Sequence, residues 1–350
     1  MRLLALILAL APLAAVAQVR VEATGPERIG LGEALVLDVT ATRTAPGPYP
    51  VLAPSGFTDE EAVVVRAASG EVVELHSLEV VCGVRVSMAG LLPEHPTGTV
   101  AHRRLVVHDA RLMAPGRYTV EVWADGPSGG SEAIASHAVE VAAPEAVGAR
   151  AGAEAVAGAV RAATDARYGA WDTDAVEALR GAALAAEGTR AGRQAEALAA
   201  IEAGTRRLAW LRSGRPEADS VAAALARTAL DLGSAYLAAV PAGVYAPEAA
   251  RARALALAPS DQAPIPHVAA RCDRTFGVAG TASPARLVAV GTGESHPVPA
   301  GGGRVVFKTA PTAVHLVVGG ETVGAAHANR STCPSEPLGI RPPLPRTDAE

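Results

Sequence analysis

The hydrophobic period of the chain changes twice, and this limits it to a β–α–β succession. Leu35, Leu37, Val39 and Ala41 alternate with Val36, Asp38 and Thr40. A half-buried strand requires that period of two. Similar runs occur at 63–66, 72–75, 79–86, 104–107, 118–123 and 138–141, separated by Gly, Pro, Ser and Asp. About seven short strands at this spacing predict an antiparallel β-sandwich over residues 18–143. From Pro144 to Pro259 the composition turns to Ala, Arg, Glu and Leu. Leu198, Ile201, Leu208 and Leu211 mark one stripe of a helix. Asp174 reads as a cap with Glu177 reaching back, and Glu187-Gly188 and Ser213-Gly214 read as stops. Pro216 and Pro247 can each open a further helix. Roughly four or five helices with short links predict a bundle of antiparallel hairpins over 144–259. From Ser260 strands return at 287–290, 305–308 and 314–318, giving a small β unit over 260–333. Residues 334–350 hold five prolines and form an extended tail. The fold class is multidomain β plus α, as expected when about 330 residues exceed one hydrophobic core.

The stretch Leu112-Met113-Ala114-Pro115-Gly116-Arg117-Tyr118-Thr119-Val120-Glu121-Val122 resembles bacterial immunoglobulin-like and fibronectin type III-like modules, which often carry a Pro-Gly-x-Tyr turn entering a late strand. The opening Ile29-Gly30-Leu31-Gly32-Glu33-Ala34-Leu35-Val36-Leu37 is similar to the second strand of such modules. The resemblance implies a sandwich with the Tyr118 ring buried and its hydroxyl on backbone. It implies no function, because such sandwiches host many roles. Leu232-Gly233-Ser234-Ala235-Tyr236 and Ala254-Leu255-Ala256-Leu257-Ala258-Pro259 resemble the two ends of a tetratricopeptide repeat. The halves lie about two residues too far apart and no second copy follows, so an ordinary helical hairpin is expected.

Residues 1–17 have the parts of a secretory signal: Arg2, an apolar run from Leu3 to Ala14, and the small-x-small site Ala15-Val16-Ala17. Cleavage would leave Gln18 first, and the apolar run is shorter than the roughly 20 residues of a membrane span. The expected location is the periplasm or the outside of the cell, with no transmembrane segment after cleavage. Residues 18–144 hold 16 acidic and 9 basic groups, a net −7, so this part is a poor counter-ion for nucleic acid. In an oxidising compartment Cys272 and Cys333, which bracket the last β block, are the expected disulfide. Cys82 lies in an apolar run and reads as a buried small hydrophobe.

Four residues stand out as a candidate metal or catalytic group: His95, His102, His108 and Asp109. Imidazoles and a carboxylate suit zinc or copper. Strand residues six apart, however, are separated by roughly 20 Å, so one ion cannot take both His102 and His108 directly. A solvated strand face around Arg104 accounts for them better, and no metal or other cofactor is assigned. Asp125-Gly126-Pro127-Ser128-Gly129-Gly130-Ser131 is similar to the sequence around the nucleophile of chymotrypsin-like proteases, but Pro127 and its place between strands make it a hairpin turn. Gly291-Thr292-Gly293 lacks the third glycine and the helix of a dinucleotide loop. Asp59-Glu60-Glu61 lacks the spacing of a calcium loop. The leading expectation is therefore an exported, non-catalytic binding or scaffold protein of the envelope with a protein partner. The alternative is a secreted hydrolase or metal-dependent enzyme whose site is assembled only in the fold.

Overall fold

The computed structural model describes residues 19–44, 63–73, 98, 100–125, 131–165, 173–260, 263–272 and 274–328. In the N-terminal part, β1 (Val19–Thr24), β2 (Arg28–Gly30), β3 (Leu35–Arg43), β4 (Val63–Ala67), β5 (Val100–Val107), β6 (Gly116–Asp125) and β7 (Ser131–Ala142) make two sheets. Their orders are β1-β3-β5 and β2-β7-β6-β4. β3 alternates buried and half-buried residues along its whole length, as its sequence alternates. Leu35, Leu37, Val39, Leu105 and Val107 of one sheet share a buried core with Val63, Val65, Val120, Val122, Val139 and Val141 of the other. Interdigitated aliphatic side chains of this kind are what hold two facing sheets together.

Two details depart from expectation. The pairing of β2 with β7 is parallel, because the chain leaves the β1 edge of one sheet and joins the other at residues 25–27. Of the run 72–75, Val72 makes an isolated bridge to Arg66 rather than part of a strand. The run 79–86, with Cys82, lies outside the described residues. Tyr118 donates its hydroxyl to the Ala114 carbonyl at 3.0 Å, as the module resemblance implies. Its ring is only half-buried, since it sits near the start of β6 where the sandwich opens to solvent.

The middle of the chain holds α1 (Val147–Asp165), α2 (Asp174–Ala185), α3 (Arg190–Arg212), α4 (Ala218–Ala239) and α5 (Ala246–Leu257). Gly188 and Gly214, with φ of 79° and 64°, stand just past the ends of α2 and α3, where a left-handed residue stops a helix. Asp174 is not a cap: Thr173 holds that position, and its side chain makes no capping bond. Asp174 instead lies in the first turn with Glu177, where the helix dipole favours acids. The side-chain cap is at Thr189, whose hydroxyl accepts from the Gly192 amide at 3.0 Å. The expected apolar stripe of α3 is also displaced. Leu198, Ile201, Leu208 and Leu211 are half-buried, while Ala191, Ala195, Ala199 and Ala203 are buried. Small residues win because the helices approach closely: a Cβ on Gly204 would lie 2.9 Å from the Ala252 Cα of α5.

The C-terminal part is a second pair of antiparallel sheets. It contains β8 (His267–Cys272), β9 (Thr275–Ala279), β10 (Ala285–Ala289), β11 (Ser295–Val298), β12 (Gly302–Val306), β13 (Ala313–Val318) and β14 (Glu321–His327). The orders are β11-β10-β13-β14 and β12-β9-β8. Phe276, Leu287, Val298, Phe307, Val314 and Leu316 form its core, with the two Phe rings edge-on at 5.6 Å. The Gly291–Gly293 segment is the turn between β10 and β11, and no helix follows it. All three parts meet in one further cluster, where Ala34 of the sandwich packs with Tyr236 and Tyr245 of the helical part and Ala325 of β14.

Candidate functional site

The residues singled out from sequence go to different places. His95 lies outside the described residues. His102 is on β5, with Nε2 3.4 Å from Asp38 Oδ1 on β3, and Arg104 Nε lies 3.0 Å from the same oxygen. The His102 hydrogen bond, helped by Arg104, holds the Asp38 carboxyl far below the ordinary carboxylate range. The His102 side chain is 8% exposed, so this is not the solvated face expected. The outer face of the β1-β3-β5 sheet is covered at its β5 end, where Val106 packs into the cluster of Tyr236, Leu237, Tyr245 and Ala325, and is exposed at Glu22 and Thr24 of β1.

His108 follows β5 and is buried. Its Nε2 is 3.0 Å from the Gly32 carbonyl, and its Nδ1 is 2.5 Å from the Tyr245 hydroxyl. A carbonyl only accepts, so Nε2 carries the hydrogen, and Nδ1 then accepts from Tyr245. Asp109 turns the other way. It takes Arg111 Nε at 3.0 Å and Nη2 at 2.7 Å, while Arg111 Nη1 donates to the Val63 carbonyl of β4 at 2.7 Å. Among the described residues no group of three or more His, Cys, Asp or Glu is placed to hold a metal ion.

The structure does assemble an unforeseen cluster around the loop between α4 and α5. His315 of β13 lies with Nε2 2.7 Å from the Pro241 carbonyl. His327 of β14 is close to the Val244 and Gly243 backbone, yet its Nε2 is buried without a hydrogen-bond partner. Burial pushes the imidazoles of both below their ordinary value. The Tyr245 amide donates to the Tyr236 hydroxyl at 3.2 Å. A Cβ on Gly243 would lie 2.3 Å from that hydroxyl, so the loop can close over Tyr236 only with glycine there. Behind it, Arg253 of α5 donates to the Thr322 carbonyl at 3.0 Å and pairs with Glu321 of β14. Sequence reasoning missed His315 and His327 because each imidazole stands alone in its own strand; only the fold brings them to one loop.

A second feature lies on the opposite sheet. Trp123 Nε1 donates to Glu121 Oε2 at 3.1 Å, and Arg66 Nε donates to Glu121 Oε1 at 2.8 Å. The Arg66 hydrogen bond holds the Glu121 carboxyl below its ordinary value. Ala133, Ser136 and Ala138 of the adjoining β7 are exposed, so the row stands on an open face. Trp123 is therefore a half-exposed aromatic fixed in orientation by an anion that is itself fixed. In the helical part, a cleft of about 290 Å³ runs between α2, α3 and α4, with Leu184 and Leu232 among its lining and Arg180, Glu187, Arg193 and Glu196 around them.

Among the described residues no helix is long and apolar enough to cross a membrane. No protein-family model matches the chain, and no curated protein matches it. Among solved structures it is similar to the solution NMR structure of the CARDB domain of a Pyrococcus furiosus protein, at 12% identity over 35% of this chain and 94% of that one. The TM-score is 0.18, at which the likeness carries no argument about fold or function.

Proposed function

We propose that the protein is an exported, non-catalytic binding or scaffold protein of the bacterial envelope, and that the open face of its N-terminal sandwich receives a protein partner. The observation that supports this reading is Trp123, held by Glu121 and Arg66 on an exposed sheet face. Tryptophan is enriched at the energetic centres of interfaces, and one whose rotamer is already fixed loses little freedom on binding. The alternative, an enzyme centred on His95, His102, His108 and Asp109, gains no support. His102, His108 and Asp109 are engaged with Asp38, with Tyr245 and Gly32, and with Arg111 respectively.

A photo-reactive phenylalanine at position 123, in the living source bacterium, should give a discrete cross-linked protein. The same group at the exposed Arg227 of α4 should not. Trp123→Ala should weaken the complex at least about tenfold while leaving the melting temperature within about 2 °C. Equal cross-linking at both positions, or none at 123, would remove the basis for the reading.

The same proposal places Cys272 in a disulfide with Cys333, which lies outside the described residues. Cys272 is buried at the end of β8. Peptide mapping without reductant should find the 272–333 linkage, and reduction should cost on the order of 4 kcal/mol in the chain-entropy model. A 272–82 linkage, or a free thiol at 272, would refute it.

A further inference from the structure

Strand β7 outruns the neighbour on its outer side. β2 pairs with it only over Arg28–Gly30, against Glu140–Ala142. Before Glu27 the chain leads back to β1, which pairs with β3 of the facing sheet. Pro26 has no amide to donate, and its carbonyl meets the His137 ring. Among the described residues no strand pairs with β7 on that side between Ser131 and Val139. We propose, resting on the partner reading above, that the partner binds at this edge: an extended acidic segment of it joins the sheet as a strand in line with β2, beside Trp123.

The direction of the backbone groups carries the argument. The Glu140 amide donates to the Glu27 carbonyl, and the Ala142 carbonyl accepts from the Leu31 amide. Even-numbered residues of β7 therefore turn both backbone groups toward the β2 side, and such directions alternate along an antiparallel ladder. The register of β7 against β6 is regular from Val141 down to Ala135. Ser136 and Ala138 thus hold an amide and a carbonyl toward the open side as well. A row of such groups is a template for another chain, and strand addition takes its affinity from main-chain hydrogen bonds. The bulge opposite Val122 and Trp123 ends the regular register, so the paired stretch is short.

The outer face selects the segment. Ala133, Ser136 and Ala138 are small and exposed, so the side chains of an added strand meet no obstruction there. Trp123 stands opposite Ala133, one strand spacing from the open edge. At the other end Glu140 lies 3.7 Å from Arg28 and has Arg117 as its cross-strand neighbour. Arg117 is exposed and makes no ion pair among the described residues. Two guanidiniums against one carboxylate leave a positive charge, which an acidic residue of the segment complements. Arg66 and Glu121, further along the face, balance each other.

A photo-reactive phenylalanine at position 138, in the source bacterium, should capture the same protein as one at 123. Mass spectrometry should place both cross-links in one acidic stretch, and a synthetic peptide of that stretch is then the probe. Saturating the full chain with it should slow exchange of the Ser136 and Ala138 amides at least about tenfold. Ser136→Pro removes one of those amides and no bond to β6, at a position where edge strands admit proline. It should weaken peptide binding at least about tenfold, while Ser136→Ala stays within about twofold. Exchange on the unmodified chain decides the matter even if the proline variant does not fold. Capture at 123 without capture at 138 would overturn the strand addition and leave the face reading standing, whereas no capture at 123 would end both. A neutral or basic stretch, unprotected amides at 136 and 138, protection in β1 instead, or full binding by a folded Ser136→Pro would each overturn the proposal.

Discussion

Asp109→Ala should cost the protein about 3–5 kcal/mol, since it leaves the Arg111 guanidinium buried beside a missing partner. Asp109 is 0% exposed and takes both an Nε and an Nη of Arg111, and the third guanidinium nitrogen reaches across to the Val63 carbonyl. The pair therefore bolts the turn after β5 to β4 of the facing sheet. The loss is a large share of the 5–15 kcal/mol that typically stabilises a domain. Asp109→Asn keeps the shape and some hydrogen bonding and should fall in between. Replacing both partners, as Asp109→Leu with Arg111→Met, should restore most of the stability, because an apolar pair neither strands a charge nor needs one. Denaturant melts of the four proteins measure all of this. A single-variant cost below about 1 kcal/mol would mean that water reaches the pair.

The second large effect is expected at Phe307. It is 1% exposed and meets Phe276 at 5.6 Å and His296 at 4.9 Å, edge-on in both cases. Phe307→Ala should cost about 3–5 kcal/mol, from lost transfer free energy and the cavity left behind. The neighbours Val278, Val298 and Val314 are short and β-branched, so they fill little of that space. Calorimetry of the full chain should show the loss, and exchange in β9 and β12 should rise first. Phe307→Leu should cost clearly less. Equal costs for the two would show that the ring is not packed on all sides.

How much of this fold could be read from the sequence depended on side-chain size. β3 was legible because Leu35, Leu37 and Val39 are large and recur every second residue, with Asp38 and Thr40 between or beside them. β8, β9 and β14 were not, because Ala and Gly interrupt their apolar patterns. In α3 the large aliphatics pointed to the wrong stripe, because close approach at Gly204 and Ala252 favours alanine at the interface. Asp174 was misread as a cap because a first-turn acid and a capping acid look alike one position apart. Of the candidate site, His102, His108 and Asp109 were visible as polar residues in a β region, but not their partners, which lie on other elements: Asp38 on β3 and Tyr245 beyond α4. The Trp123–Glu121 pair could have been suspected, since residues two apart on a strand share a face.

The joint of His108 with Tyr245 has a counterpart nearby, where the Ala34 amide donates to the Gln194 side chain at 2.9 Å. These bonds close across 137 and 160 residues of chain. Synthesis runs from the N-terminus, so the sandwich, complete at Ala142, is made before Gln194 and Tyr245 exist. During that interval Ala34, Val106 and His108 present an unfinished apolar and polar seam. The seam can be finished only after the helical segment has followed the sandwich out, on whichever side of the membrane the chain folds.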